Sequence, residues 1–286
     1  MLKKPNWIKI KLPNNFSNVK NFKKILRQRS LKTVCEEAQC PNLNECFNNG
    51  TATFMILGSI CTRKCPFCAV KKGQPKYLDQ NEPKNLAKVI HHMNLNYVVI
   101  TSVNRDDLKD GGALHFSKCI KEIRKIKNIK IEILVPDFRK KENLALKLIE
   151  KNLPDIFNHN LENVPRLYKN IRPGANYKNS LNLLNKFHKK FPHIPTKSGL
   201  MVGLGEKKYE IFQVIQDLYD NGVSMLTIGQ YLQPSRLHVS VKKYLNLEEF
   251  KEIKKQAFLI GFKYVFCGPL VRSSYHAFSQ YKTIKK

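Results

Sequence analysis

Six of the chain's eight cysteines, Cys35, Cys40, Cys46, Cys61, Cys65 and Cys68, fall within 34 residues and form two groups of three. Thiolates held this close repel one another, and each thiol must lose its proton before it can bind a metal. The local fold must therefore keep them protonated or place a positive centre among them. Disulfides are a poor account. The opening, MLKKPNWIKIKLP, has basic residues but no apolar stretch of the kind a secretory signal carries. A reducing interior keeps thiols free. The longest near-continuous apolar run, residues 54–60, is far below the roughly 20 residues that cross a bilayer. A cytoplasmic location without membrane contact is the expectation.

The second group stands directly after a β-rich run, in CTRKCPFC over residues 61–68. Its intervals are three residues and then two, with an aromatic before the last Cys. The Lys, Arg and Pro between the cysteines argue for an exposed loop. A structural zinc takes four ligands, normally as two pairs; this triplet offers three, so zinc is an alternative one ligand short. A [4Fe–4S] cubane held by three cysteines leaves one iron without a protein ligand, where a substrate can coordinate. The first group, C-x4-C-x5-C from Cys35 to Cys46, poses the same choice between zinc, one larger site shared by all six thiols, and a second cluster.

From residue 54 onward short β-rich runs alternate with helix-patterned stretches. The runs are 54–59, 97–103, 129–136, 156–159, 196–204, 225–231 and 262–267; the helices are 82–94, 112–127, 140–152, 178–190, 208–221 and 247–260. In the last helix Phe250, Ile253, Ala257 and Ile260 share one face. Strand, crossover helix and parallel strand, repeated about six times, is the pattern of a βα barrel or open parallel sheet. Ligands gather at the carboxyl ends of the strands in both. Residues 1–50 read as an extension carrying the first Cys triplet, with a short helix over 18–29; 51–260 read as the body and 261–286 as a second extension. One compact domain overall is the simplest reading.

The C-x3-C-x2-C spacing with its aromatic, after the first strand of a βα pattern, resembles the radical S-adenosylmethionine (SAM) enzymes. VCEEAQCPNLNECF, GTATFMILG, TSVNRDDLKDGGA, NHNLEN, RLYKNIRPGANY, KSGLMVGLGE, IGQYLQPS and CGPLVRSSYHA follow in order over nearly the whole chain. Together they resemble the lipoyl synthase family of that superfamily. The resemblance implies an α/β fold, a partial (β/α)6 TIM-like barrel of the radical SAM type with N- and C-terminal extensions. It implies two [4Fe–4S] clusters and SAM as cofactors. Cys61, Cys65 and Cys68 would hold the SAM-binding cluster. Cys35, Cys40, Cys46 and Ser274, with Ser273 as the lesser choice, would hold an auxiliary cluster.

The activity implied is sulfur insertion at C6 and C8 of an octanoyl group, amide-linked to a lysine of a carrier domain. SAM cleavage yields a 5′-deoxyadenosyl radical that opens each C–H bond, and the auxiliary cluster supplies the sulfur. No side chain is then needed as acid or base, since the clusters carry the chemistry. The partners implied are octanoylated lipoyl domains of 2-oxoacid dehydrogenases, the glycine-cleavage carrier protein, and an electron donor of flavodoxin or ferredoxin type. Two departures from the family pattern, Ala69 where Asp is frequent and Asn163 where Thr is usual, leave the ligands untouched. Other sulfur-inserting or RNA-methylthiolating radical SAM enzymes are disfavoured by the early auxiliary triplet and the late RSSY.

Candidates for SAM itself stand at strand ends. Ser102 and Asn104 follow the second strand, and Asn160 and Glu162 follow the fourth. Arg172 suits the methionine carboxylate, because a guanidinium forks onto carboxylate well. Gly203 and Gly205 offer close backbone approach to a ligand, and His159 is a candidate to face the site. Loop ion pairs such as Arg105 with Asp106 are the bland alternative in these stretches. Cys119 and Cys267 read as packed residues outside both triplets. Finally, 51 Lys+Arg against 22 Asp+Glu give a net charge of +29. Only 10 of the basic residues are Arg and the Lys are spread throughout. Nucleic-acid binders concentrate charge and use Arg, so docking of an acidic protein and a merely solvated surface are the better readings.

Overall fold

The near-continuous apolar runs become parallel strands, because a strand covered on both faces has no use for apolar–polar alternation. A computed structural model describes residues 2–9, 17–48 and 52–284. The chain divides into two compact units: one comprises Ile10–Arg63 and Val70–Ile156, the other Met1–Lys9, Lys64–Ala69 and Phe157–Lys286. In the second of these, Trp7 Nε1 donates to the Leu245 carbonyl at 3.2 Å.

The amino-terminal unit runs α1 (Ser17–Gln28), β1 (Lys32–Thr33), α2 (Val34–Glu37), α3 (Leu43–Asn48), β2 (Thr53–Ile56), β3 (Ile60–Cys61), β4 (Lys71–Lys72), α4 (Glu82–His92), β5 (Tyr97–Ser102), α5 (Ala113–Ile123), β6 (Lys130–Leu134) and α6 (Glu142–Ile149). β1 pairs antiparallel with β2, with Lys32 opposite Met55. β2, β5 and β6 are parallel, with Thr53 opposite Val99 and Tyr97 opposite Lys130. The loops after these three strands therefore leave from one edge. β3 and β4 pair in parallel and bracket the loop of the second Cys triplet, with Cys61 opposite Lys72.

The carboxyl-terminal unit contains β7 (Ile156–Asn158), a 3-10 turn (Pro165–Leu167), α7 (Tyr168–Ile171), α8 (Tyr177–Lys190), β8 (Thr196–Val202), α9 (Lys208–Asp220), β9 (Met225–Gln230), α10 (Leu247–Ile260), β10 (Tyr264–Gly268) and α11 (Ala277–Ile284). β7 to β10 are parallel in sequence order: Phe157 faces Thr196, Lys197 faces Met225 and Met225 faces Tyr264. Helix α10 starts on a capping box, with Asn246 Oδ1 accepting from Glu249 N–H at 2.8 Å and Glu249 Oε2 accepting from Asn246 N–H at 3.0 Å. Phe250, Ile253 and Ala257 are buried as its period requires, while Ile260 is half-buried. No helix among the described residues is long and apolar enough to cross a membrane.

Candidate active site

The approach to the C-x3-C-x2-C loop is held from both sides. Beyond β2 the backbone turns at Leu57, whose φ of +68° is rare for a residue with a side chain. Its N–H donates to Glu82 Oε2 at 2.9 Å and its carbonyl accepts from Arg105 Nη1 at 3.1 Å. Glu82 is itself held by His115 Nε2, 2.6 Å from the same oxygen, in a buried pair. A strained residue persists where its surroundings over-determine it, and here both polar groups of Leu57 are fixed by buried side chains.

Five residues later the loop is laced to its neighbours. Thr62 N–H and Oγ1 both donate to the Asn104 carbonyl, at 3.1 and 3.0 Å. Arg63, expected in an exposed loop, is buried. Its guanidinium spans two carboxylates: Nη2 donates to Asp137 Oδ1 at 3.0 Å and to Asp106 Oδ1 at 2.8 Å, and Nε pairs with the second oxygen of Asp106. Asp106 lies after β5 and Asp137 after β6, so Arg63 ties together three loops at one sheet edge. Burial disfavours ionising Asp106, but the hydrogen bond and charge of Arg63 outweigh it and hold its pKa below the usual carboxylate range. The expected ion pair of Arg105 with Asp106 is not formed. Arg105 forks instead onto Asp107, with Nη2 to Oδ2 at 2.7 Å and Nε to Oδ1 at 2.9 Å.

The first triplet belongs to the same unit. Thr33 caps α2 by accepting the Glu36 N–H at 3.3 Å, which places Cys35 on that helix. Cys40 N–H then donates to the Cys35 carbonyl at 3.0 Å, and Cys46 N–H to the Asn42 carbonyl at 2.9 Å. None of the three is joined in a disulfide. Burial pushes the Cys35 thiol up to about 12, the charges of Cys40 and Cys46 add to the rise, and the Thr53 backbone N–H opposes it. The charges of Cys40 and Cys46 thus oppose ionisation of Cys35, which a bound cationic cluster would relieve. Among the described residues no three Cys, His, Asp or Glu side chains converge at the spacing of a single metal ion. A cubane takes each thiolate on a different iron, and three thiols on successive turns suit it.

The remainder of the C-x3-C-x2-C loop belongs to the carboxyl-terminal unit. Cys68 N–H donates to the Cys65 carbonyl at 3.2 Å, and the Pro66 carbonyl accepts from Val239 N–H at 3.0 Å. Phe67, the aromatic before the third Cys, packs on the buried cluster of Ile171, Leu204, Tyr231 and Val241. Its role is to anchor the loop in the core. Burial pushes Tyr231 above its ordinary pKa, and the charge of nearby Cys68 adds to this.

In the same unit the structure joins three of the expected SAM residues. Asn160 Nδ2 donates to Glu162 Oε1 at 3.0 Å, and Arg172 Nη1 donates to the carbonyls of Asn160 and Leu161 at 3.0 and 3.2 Å. That same nitrogen donates to Tyr168 Oη at 2.6 Å, so this arm of the guanidinium fastens the loop after β7. Burial raises the pKa of Glu162, opposed by the Arg172 charge. Ser274 lies in the turn before α11, where its carbonyl accepts from Ala277 N–H at 3.3 Å.

Ser102 ends β5 with a buried hydroxyl that has no hydrogen-bond partner among the described residues. An orphaned buried hydroxyl at a strand's carboxyl end suits a polar ligand group. Asn104 offers its backbone oxygen to Thr62. His159 is buried with Nε2 3.0 Å from Ser180 Oγ of α8. Gly203 has φ +98°, and a Cβ there would stand 2.1 Å from Gln230 Nε2 and 2.3 Å from the Lys243 carbonyl, so the surrounding chain itself requires the glycine. Asn163 is buried and donates to the Met201 carbonyl at 3.3 Å. Cys119 is buried, and Cys267 Sγ reaches the Phe250 carbonyl at 3.4 Å, both as packed residues.

Residues 55–218 match the Radical SAM superfamily. The chain is 66% identical over 281 residues to a lipoyl synthase of Buchnera aphidicola subsp. Cinara cedri, covering 98% of this chain and 91% of that one. It is 64% identical over 286 residues to the lipoyl synthase of Buchnera aphidicola subsp. Schizaphis graminum, covering 100% and 90%. Among solved structures, Streptococcus suis SuiB bound to the precursor peptide SuiA superposes with a TM-score of 0.57 at 12% identity, over 99% of this chain and 59% of that one, a likeness of fold alone. Near-full-length identity of this order, on a chain whose cysteine loop lies within the superfamily match, places the protein in the lipoyl synthase family of radical SAM enzymes.

Proposed function

We propose that the chain inserts two sulfur atoms, at C6 and C8 of an octanoyl group carried on a lysine of a lipoyl carrier domain, using two [4Fe–4S] clusters. The superfamily implies one cluster and SAM. The observation that supports the second is the first triplet, three cysteines outside any disulfide, on α2, the turn after it and α3, in a segment separate from the C-x3-C-x2-C loop. When bound, the cluster at Cys61, Cys65 and Cys68 with SAM supplies the hydrogen-abstracting radical, and the cluster at Cys35, Cys40, Cys46 and Ser274 supplies sulfur. The chain's own side chains position and exclude water, with no acid or base required. Ser102, Asn104, Asn160, Glu162 and Arg172 are the residues we assign to SAM. The net charge of +29 suits an acidic carrier domain and an acidic electron donor.

Iron and acid-labile sulfide per chain after anaerobic reconstitution test this reading. Two four-iron clusters predict about eight irons in the parent and about four in either the Cys61/Cys65/Cys68→Ala or the Cys35/Cys40/Cys46→Ala variant. About four irons in the parent, lost with one triplet and untouched by the other, would leave a single-cluster SAM enzyme and overturn sulfur insertion.

A further inference from the structure

Stretches far apart in the sequence meet at the Asn160 side chain. Its Oδ1 accepts a hydrogen bond from Ser273 Oγ at 2.8 Å, while its Nδ2 donates to Glu162 Oε1 at 3.0 Å. Glu162 is in turn fixed to β8: its N–H donates to the Gly199 carbonyl at 3.0 Å, and its carbonyl accepts from Met201 N–H at 2.8 Å. Residues 271–273 lie closely on β8 and β9. A Cβ at Gly199 would stand 2.8 Å from each of Asn160 Oδ1, Ser273 Oγ and Thr227 Oγ1, and one at Gly229 would stand 2.0 Å from the Val271 carbonyl. A glycine in each strand is what lets this tail approach.

The orientation of the amide decides what Ser273 can do. Asn160 Nδ2 donates to Glu162 Oε1, which leaves the amide oxygen, an acceptor only, facing Ser273. The Ser273 hydroxyl must then donate. As a deprotonated iron ligand it would face Asn160 Oδ1 with lone pairs on both oxygens, and turning the amide over would give up the Nδ2 donation to Glu162.

We propose that Ser273 is a positioning residue: by donating to Asn160 it latches the RSSY tail to the β7–β8 edge. The latch rests on the two-cluster reading for its purpose and on the geometry of one unit for its existence. It gives the first serine of the motif a task distinct from that of the second. It also accounts for a glycine at position 199, where any side chain would crowd both atoms of the Ser273–Asn160 bond.

Two readouts test it. In the Cys61/Cys65/Cys68→Ala background, which would retain the auxiliary cluster alone, iron release to a chelator should quicken about fivefold in Ser273→Ala, the share a single neutral hydrogen bond carries. Asn160→Ala, which also loses the bond to Glu162, should be at least as fast, and adding Ser273→Ala to it should bring no further change, because the Ser273 bond is already gone. Ser274→Ala should release iron faster still. In the apo chain, Ser273→Ala should speed hydrogen exchange of the amides of residues 271–277 by a similar factor, with no cluster needed. Unchanged exchange, additive effects in the double variant, or a greater iron loss from Ser273→Ala than from Ser274→Ala each overturn the latch. A background that binds no iron overturns the two-cluster reading instead, and the exchange experiment then judges the latch by itself.

Discussion

Replacing Arg63 by Met should be the most disruptive single change outside the cysteines, and the structure sets its size. The guanidinium side chain is 5% exposed, as is that of its partner Asp137, whereas Asp106 is 33% exposed. Removing the cation leaves the Asp137 carboxylate buried with the Arg139 N–H at 3.3 Å as its remaining named donor. Uncompensated buried charge of this kind costs about 3–5 kcal/mol. Asp106 can hydrate and keeps the Thr62 hydroxyl at 3.2 Å, so its share should stay below about 1 kcal/mol. The test is urea unfolding of the reduced apo chain at pH 7, followed by circular dichroism, for Arg63→Met, Asp137→Asn and both together. The double variant should recover about 2 kcal/mol or more of the loss from Arg63→Met, because a neutral amide needs no counter-charge. A cost under about 1 kcal/mol for Arg63→Met, or strict additivity in the double variant, would refute the clamp. Iron bound in the Cys35/Cys40/Cys46→Ala background should fall with the same substitution, since the clamp sets the course of the loop between Cys61 and Cys65.

The remaining expectations are smaller. Asp106 and Asp107 are held below the ordinary carboxylate value by Arg63 and Arg105. Their stabilisation is full above the unfolded pKa of about 3.9 and is lost as pH falls through the lower folded values. Melting temperature should therefore drop steeply below about pH 4, and less steeply in Arg63→Met. Glu82→Ala strands the Leu57 N–H and His115 in the core, and thermal unfolding should register a loss of about 2–3 kcal/mol; a loss under ~0.5 kcal/mol would show that the turn at Leu57 holds itself. Cys119→Ala and Cys267→Ala should leave reconstituted iron at the parent level, and any fall would add a ligand to the present assignment. Turnover with an octanoylated acidic carrier domain should decline steeply with added salt, as steering by net charge requires, whereas a flat profile would point to an uncharged docking face.

What the sequence made legible follows from the length scale over which each feature is specified. β5 reads YVVITS with five of six positions buried, and α10 occupies residues 247–260 as its apolar period demands; each expected strand or helix lies within four residues of where its pattern places it. Pattern needs length, so the two-residue strand β1 and the one-turn helices α2 and α7 left no period to read. The cysteines were legible for another reason: a thiol triplet carries its chemistry in residue type and spacing, whatever the surroundings. Ser102 and Asn160 were legible from their places at strand ends, but not the orphaned hydroxyl of one or the committed amide of the other.

Partner choice was the hardest to read, because it is settled by loop geometry after the chain has folded. Asp106 and Asp107 are indistinguishable as charges beside Arg105, yet the turn after β5 sends one to Arg63 and the other to Arg105. A basic residue between two cysteines suggests a solvated loop on average, and Lys64 is exposed as that average says. Arg63, its neighbour, is buried because carboxylates from two other loops arrive at the same edge, separated from it by 43 and 74 positions. An arginine whose fork can satisfy two carboxylates at once is a stronger constraint on loop position than any single turn. The residues that carry the chemistry are therefore recognisable one at a time, whereas those that aim it exist only as pairs, and no single-residue signal marks the second member.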